Sequence, residues 1–252
     1  MLHHIKTGNL EGVQETIKEK PEALNERLKA TADGDAMTPL MWALFERQPT
    51  IAKWLISEGA DVNLQSADHC TALILACKHN LPYIAEALIL RGASLDIQTK
   101  ANGMTALISA CGSGKFDVAQ LLIEQGADLN VQNTPGWTAL MLACGAGQLE
   151  VARLLIEHGA ELNVQGNQGN SALMIACASG YPDIAEMLID KGARVDLQSP
   201  PGNNALMIAC GMGQVNIARM LLEKGAAINE QSRDGWTALS VASQEGHTEV
   251  AK

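Results

Sequence analysis

The sequence predicts an all-α solenoid of stacked helix-turn-helix units with projecting β-hairpin loops, and three observations predict it. Cys77, Cys111, Cys144, Cys177 and Cys210 follow one another at 34, 33, 33 and 33 residues, each closing a matching string: ALILAC, ALISAC, ALMLAC, ALMIAC and ALMIAC. The period extends outward to PLMWAL at 39–44 and ALSVAS at 238–243, with anchors at Thr38, Thr71, Thr105, Thr138, Ser171, Asn204 and Thr237. The composition is poor in aromatics (3%) and rich in glycine (23), methionine (10) and cysteine (6), which suits a core of small and soft side chains at close approach. A fixed period of this length marks an array in which neighbouring units bury each other's apolar faces.

Taken in order, residues 1–37 read as a divergent N-terminal capping unit. Gly8-Asn9-Leu10-Glu11 parallels Gly147-Gln148-Leu149-Glu150, and Val13 and Ile17 continue an apolar stripe beside Glu11, Glu15, Lys18 and Glu19. A polar outer face is what a terminal unit needs for solubility. Pro21 and the segment Thr31–Asp35 predict a longer loop before Thr38. Six units follow, at 38–70, 71–104, 105–137, 138–170, 171–203 and 204–236, with one extra residue between Gln98 and Thr105 that lengthens a single hairpin. Residues 237–252 begin a seventh. Val250-Ala251-Lys252 reaches only a few residues into its second helix, too few for a helix to stand alone. The expectation is a natural chain that continues past Lys252, or one trimmed there.

The fourth unit shows the plan best. Thr138 is placed to cap a first helix through its hydroxyl, and Gly147 to end it in the left-handed conformation. A second helix carries Leu149, Val151, Ala152, Leu154, Leu155 and Ile156 at helical spacing and stops at Gly159. Glu161-Leu-Asn-Val-Gln165 then alternates polar and apolar before Gly166-Asn-Gln-Gly169 turns the chain. Buried faces are expected at Leu40, Leu73, Leu107, Leu140, Leu173, Leu206 and Leu239, at the recurring alanines from Ala52 to Ala251, and at the leucines from Leu55 to Leu221.

Gly136-Trp-Thr-Ala-Leu140, Leu149-Glu-Val151, Leu154-Leu-Ile-Glu-His-Gly-Ala160 and Ala127-Asp-Leu-Asn130 resemble the ankyrin repeat, and the resemblance covers the chain from about Gly8 to Lys252. It implies an intracellular binding scaffold whose partners contact the hairpin tips and the concave-side first helix. It also implies that Asn63, Asn130, Asn163 and Asn229 are positions where the family can be hydroxylated, although a role in supporting the hairpin backbone is the simpler reading. The chain departs from the family where T-P-L-H is usual. Only Thr38-Pro39-Leu40 keeps the proline, and Met41, Ile74, Ile108, Met141, Met174, Met207 and Ser240 stand at the histidine position. Packing by flexible side chains replaces the hydroxyl-to-imidazole network there.

Several function classes are disfavoured. A net charge of −10 with only 18 Lys and Arg offers no dense basic patch for nucleic acid or an anionic membrane. The longest apolar runs, such as Ala72–Cys77, fall far short of the roughly 18 residues that span a bilayer, and the N-terminus MLHHIKTGNLEGVQE has no secretory h-region. The six cysteines are therefore expected to stay reduced in a cytoplasmic protein. Five sit in Ala-Cys pairs as small buried packing groups, and Cys70, in a turn, is the accessible thiol. The six histidines share no metal-ligand spacing. Gly112-Ser-Gly-Lys115 is the inter-helix turn, with equivalents at Gly145-Ala-Gly147 and Gly211-Met-Gly213, rather than a phosphate loop. No catalytic, cofactor or metal constellation is read.

Function is expected where the units differ and face solvent. The position before each anchor holds Cys70, Met104, Trp137, Asn170, Asn203 and Trp236. The pair before the inter-helix turn residue, a glycine in all but the first case, holds Lys78-His79, Gly112-Ser113, Gly145-Ala146, Ala178-Ser179 and Gly211-Met212. Residues 105–113, 138–146, 171–179 and 204–212 carry no charge, so four first helices form a neutral wall. The predicted site is a shallow groove floored by Gly112, Gly145, Ala178 and Gly211 and rimmed by Trp137 and Trp236. It takes an extended peptide or a helix of a partner protein, with no nucleic acid and no membrane insertion, on a monomeric array. Two alternatives stand beside it: the tryptophans pack on neighbouring hairpins while the glycines suit a tight stack, or the array is the targeting arm of an enzyme whose catalytic domain lies elsewhere.

Overall fold

A computed structural model describes residues 1–29 and 36–251; the expected loop at Thr31–Asp35, and Lys252, lie outside the described residues. The chain divides into two compact units, Met1–Ala110 with Lys115–Asp128, and Cys111–Gly114 with Leu129–Lys252. In the first, α1 (Leu2–Lys6) and α2 (Leu10–Glu19) precede a 3-10 turn (Pro21–Leu24) and the helix pairs α3 (Pro39–Phe45) with α4 (Pro49–Ser57) and α5 (Ala72–Lys78) with α6 (Pro82–Leu90). Then come α7 (Ala106–Gly112), whose last two residues belong to the second unit, and α8 (Phe116–Glu124). The second unit holds α9 (Ala139–Gly145), α10 (Leu149–Glu157), α11 (Ala172–Ser179), α12 (Pro182–Asp190), α13 (Ala205–Gly211), α14 (Val215–Glu223) and α15 (Ala238–Gln244). Within each unit, first helices pack in one row and second helices in another, as α9 on α11 and α10 on α12.

These helices are two turns long and would not persist alone; caps and packing hold them. Thr138 Oγ1 accepts from the Met141 N–H at 3.3 Å, and Thr38, Thr71, Thr105, Ser171 and Asn204 cap their helices alike. At Thr237 the bond is returned, because Ser240 stands where methionine or isoleucine stands elsewhere and its hydroxyl accepts from the Thr237 N–H at 2.8 Å. The first helices end in left-handed residues such as Gly147, at φ +69°. Arg47 (56°) and Asn80 (54°) hold the same conformation at the equivalent positions.

The recurring alanines and leucines are the core. Ala52, Ala85, Ala119, Ala152 and Ala185, and Leu55, Leu88, Leu122, Leu155, Leu188 and Leu221, have no exposed surface. The first-helix leucines from Leu40 to Leu206 are buried too. Leu239 is not: it is 56% exposed, against the expectation. Among the described residues no further helix follows α15, so nothing covers it as α15 covers α13. In the capping segment, Val13 is fully buried and Ile17 half-buried.

The projecting loops close as turns: Gly166 N–H donates to Asn170 O at 3.1 Å and Gly169 N–H to Gly166 O at 2.7 Å. The loop from Thr99 to Met104 is one residue longer, and Thr99 N–H donates to Met104 O at 3.0 Å. Among the described residues the arms build no strand ladder, and an isolated bridge joins Leu28 and Met37. The arms bond to the next repeat instead. Asn63, Asn130 and Asn163 each accept, through Oδ1, the N–H of Ser94, Glu161 and Arg194 at 2.8–2.9 Å. Asp96 does the same for Asp128 at 3.0 Å. A second ladder runs beside it: Gln132 Nε2 donates to Gly136 O within its own loop and to Gln165 O in the next, and Gln165 repeats the pattern with Gly169 O and Gln198 O.

Candidate functional site

Within the second unit, the uncharged first helices and the loops before them enclose two adjoining cavities. One, of about 360 Å³, lies between Trp137, Asn170, Ala178, Ser179 and Asn203, with Met174 and Ile175 beneath. The other, of about 560 Å³, runs from Asn203 and Gly211 to Trp236, Val241 and Glu245. Asn203, Ile208 and Met212 line both, so the two form one continuous trough. Met212 is 56% exposed and Trp236 41% exposed, at the middle and one end of it. The side-chain amides of Asn170 and Asn203 have no hydrogen-bond partner among the described residues and are half-exposed. The charged residues of the lining, Asp234 and Glu245, are both acidic and both belong to the Trp236 cavity.

The expected site residues are thus partly brought together. Trp137, Asn170, Ala178, Ser179, Asn203, Gly211, Met212 and Trp236 line the trough, while Gly112, Ser113, Gly145 and Ala146 lie in the same unit without lining either cavity. Met104, Lys78 and His79 belong to the first unit.

The glycines have a packing reason. A Cβ at Gly145 would lie 3.1 Å from Ile175 Cγ2, and one at Gly211 would lie 3.0 Å from Val241 Cγ1, closer than real Cβ atoms comfortably sit. Gly112 differs, since a Cβ there would meet Leu142 at 3.5 Å, an ordinary contact. Trp137 is half-buried, and its ring lies close against the Gly166 turn of the next loop, where an added Cβ would come within 3.1 Å of Cδ1. Packing on a neighbouring loop and lining a cavity are therefore both true of Trp137. Trp236 is the more open of the two.

Sequence reasoning passed over the lower wall: Ile175, Ile208 and Val241. Their signal was present, because a β-branched residue stands at the same place in three successive repeats, opposite a glycine or alanine of the repeat before. Loop residues Ser199, Pro201, Ser232 and Asp234, which also line the trough, carry no such regular signal.

The periodic cysteines take no part in the trough's lining. All six carry thiols rather than disulfides; Cys77, Cys111, Cys144, Cys177 and Cys210 are buried and Cys70 is half-exposed. Burial pushes the thiols of Cys111, Cys144 and Cys177 up to about 12, where they remain protonated and unreactive. Among the described residues no three His, Cys, Asp or Glu side chains are grouped to hold a metal ion, and no helix is long and apolar enough to cross a membrane.

Comparison with known proteins agrees with this architecture. "Ankyrin repeat and SAM domain-containing protein 6" of Rattus norvegicus is 34% identical over 101 residues, which is 40% of this chain and 11% of that protein. The Mus musculus protein of the same name matches with the same identity and coverage. This chain therefore spans only a small part of the length of either relative. The family model for ankyrin repeats, which describes three copies at a time, matches residues 48–133, 125–199 and 191–252. With stacked helix pairs of period 33 and a family match over most of its length, the chain belongs to the ankyrin-repeat family.

Proposed function

We propose that the trough of the second unit binds an extended segment or a helix of a partner protein. Ankyrin repeats are in general protein-interaction modules, and the family is typically a non-catalytic scaffold. The observation that carries this reading is the shared wall of Asn203, Ile208 and Met212, which joins the two cavities into one trough. Apolar side chains of the partner seat beside Trp137 and Trp236, where a large aromatic at the edge of a desolvated floor concentrates binding energy. The amides of Asn170 and Asn203 supply a donor and an acceptor each to the partner's main chain. Asp234 and Glu245 favour a basic residue at the Trp236 end. The chain acts as a monomer by binding alone, in the cytosol, where its thiols stay reduced.

The test selects peptides from a random displayed library on the full chain, then measures their affinity for variants. Trp236→Ala combined with Met212→Asp should weaken binding by at least about tenfold, the loss of one good anchor. Ala178→Glu, which places an acid on the floor without disturbing a glycine contact, should do the same. If selected peptides bind all three proteins equally, the trough is not the site.

A further inference from the structure

The second-helix row carries a regular solvated pattern with one exception. At the first outward position stand Thr50, Asp117, Glu150, Asp183 and Asn216, and at the last stand Ser57, Glu124, Glu157, Asp190 and Glu223. In α6 these two positions are Tyr83 and Leu90, which are 84% and 79% exposed. They lie two helical turns apart, about 10 Å along one face, and half-buried Ala87 falls between them. A single exposed apolar residue is ordinary, but a stripe of this kind marks an interaction surface. Beside it, Pro49, Thr50 and Lys53 of α4 and Asn80 to Ile84 line a groove of about 690 Å³. Lys53 is the charged residue of that lining, and it has no ion-pair partner among the described residues. On the helical wheel, Ile84 lies about 100° from Tyr83 on the groove side, whereas Glu86 lies about 60° round the other way. The acid of α6 therefore turns from the groove, and Lys53 sets its sign.

The structure assigns this face of α4 and α6 as a second docking surface, independent of the trough, for an amphipathic helix of a partner protein that carries acidic residues beside its apolar stripe. The partner's apolar side chains cover Tyr83, Ala87 and Leu90, and its carboxylate meets Lys53. A second copy of this chain fits less well, because it sets a net charge of −10 against −10.

The probes are two 18-residue helical peptides with leucines at i, i+3, i+4 and i+7 spacing, one with glutamate and one with lysine on the remaining positions. The long-range field of an acidic chain favours the lysine peptide, so preference for the glutamate peptide is a demanding outcome. We expect the glutamate peptide to bind the full chain, its trough blocked by Trp236→Ala and Met212→Asp, at least about tenfold tighter than the lysine peptide. Tyr83→Glu with Leu90→Glu, which restores the pattern of α10, should abolish that binding. Lys53→Glu should reverse the preference. Both α6 positions face solvent, so an unchanged thermal melt shows that the variants are folded. Equal or tighter binding of the lysine peptide, or insensitivity to the α6 double variant, overturns the assignment. So does a wild-type dimer in sedimentation that the double variant converts to monomer, because the occupant is then a second copy.

Discussion

Arg47 and Asn80 hold the left-handed backbone that Gly114, Gly147, Gly180 and Gly213 hold in later repeats, and the two side chains do not meet it on equal terms. A left-handed conformation costs an ordinary L-residue about 1–2 kcal/mol, whereas asparagine adopts it readily. Glycine returns about 0.5–1 kcal/mol of that through its larger loss of freedom on folding. Arg47→Gly should therefore stabilise the protein by up to about 1 kcal/mol in urea unfolding, and Asn80→Gly should be flat or slightly unfavourable. Arg47→Gly has a second readout at His79. Burial of that ring, then the charges of Arg47 and Lys78, hold its imidazole below the ordinary 6.5, and its Nε2 is buried without a hydrogen-bond partner among the described residues. Removing one cation should raise the His79 pKa toward the ordinary value in an NMR titration. The sign for stability follows: the unfolded chain binds this proton more readily, so stability falls as pH drops below about 6.5 and is unaffected well above it. The period of 33 residues does set Arg47 and Asn80 where later repeats carry glycine, but the burial of the His79 ring beside them shows only in the folded chain.

Between residue and repeat, the legible and the illegible parts divide along a physical line. Helix caps, left-handed stops and the apolar stripes are local, set by neighbours within a few residues, and Thr138, Gly147 and Leu155 could each be placed from the sequence alone. Asn130 and Asn163 also stand out in the sequence, as supports for the hairpin backbone. They do so across repeats, accepting from the N–H of Glu161 and Arg194, which lie 31 residues on, and no local pattern encodes that distance. Asp96 does the same work with a different side chain, so the acceptor oxygen is the common requirement, although the amide of Asn63 also donates to Gly92 O at 2.9 Å. Asn163→Asp should leave stability nearly unchanged. Asn163→Ala, which strands the Arg194 N–H without its acceptor, should cost about 0.5–1.5 kcal/mol, read as a lower urea midpoint. Equal losses for both substitutions would assign the role to the amide. The trough divides along the same line: Trp137 and Trp236 stood out by type, whereas Ile175, Ile208 and Val241 became its wall only through the stacking of one repeat on the next.

On the scale of the whole chain, an array in which each repeat meets only its neighbours has no single core whose loss unfolds everything at once. Ala152 has no exposed surface in α10, at the position where an alanine recurs in every second helix from Ala52 onward. Within the second unit α10 packs on α9 and α12. Ala152→Phe forces a ring into that contact and should destabilise by about 1–3 kcal/mol or more. Where that loss is felt is the informative part. If stability is a sum of repeat and nearest-neighbour terms, native-state hydrogen exchange should quicken in α9, α10 and α12 and fade with distance along the chain. The amides of α3 and α4, around Leu44 and Leu55, should keep their wild-type protection. Uniform acceleration from α3 to α14 would mean that the repeats unfold as one cooperative body, and the neighbour-by-neighbour account of the fold would have to be given up.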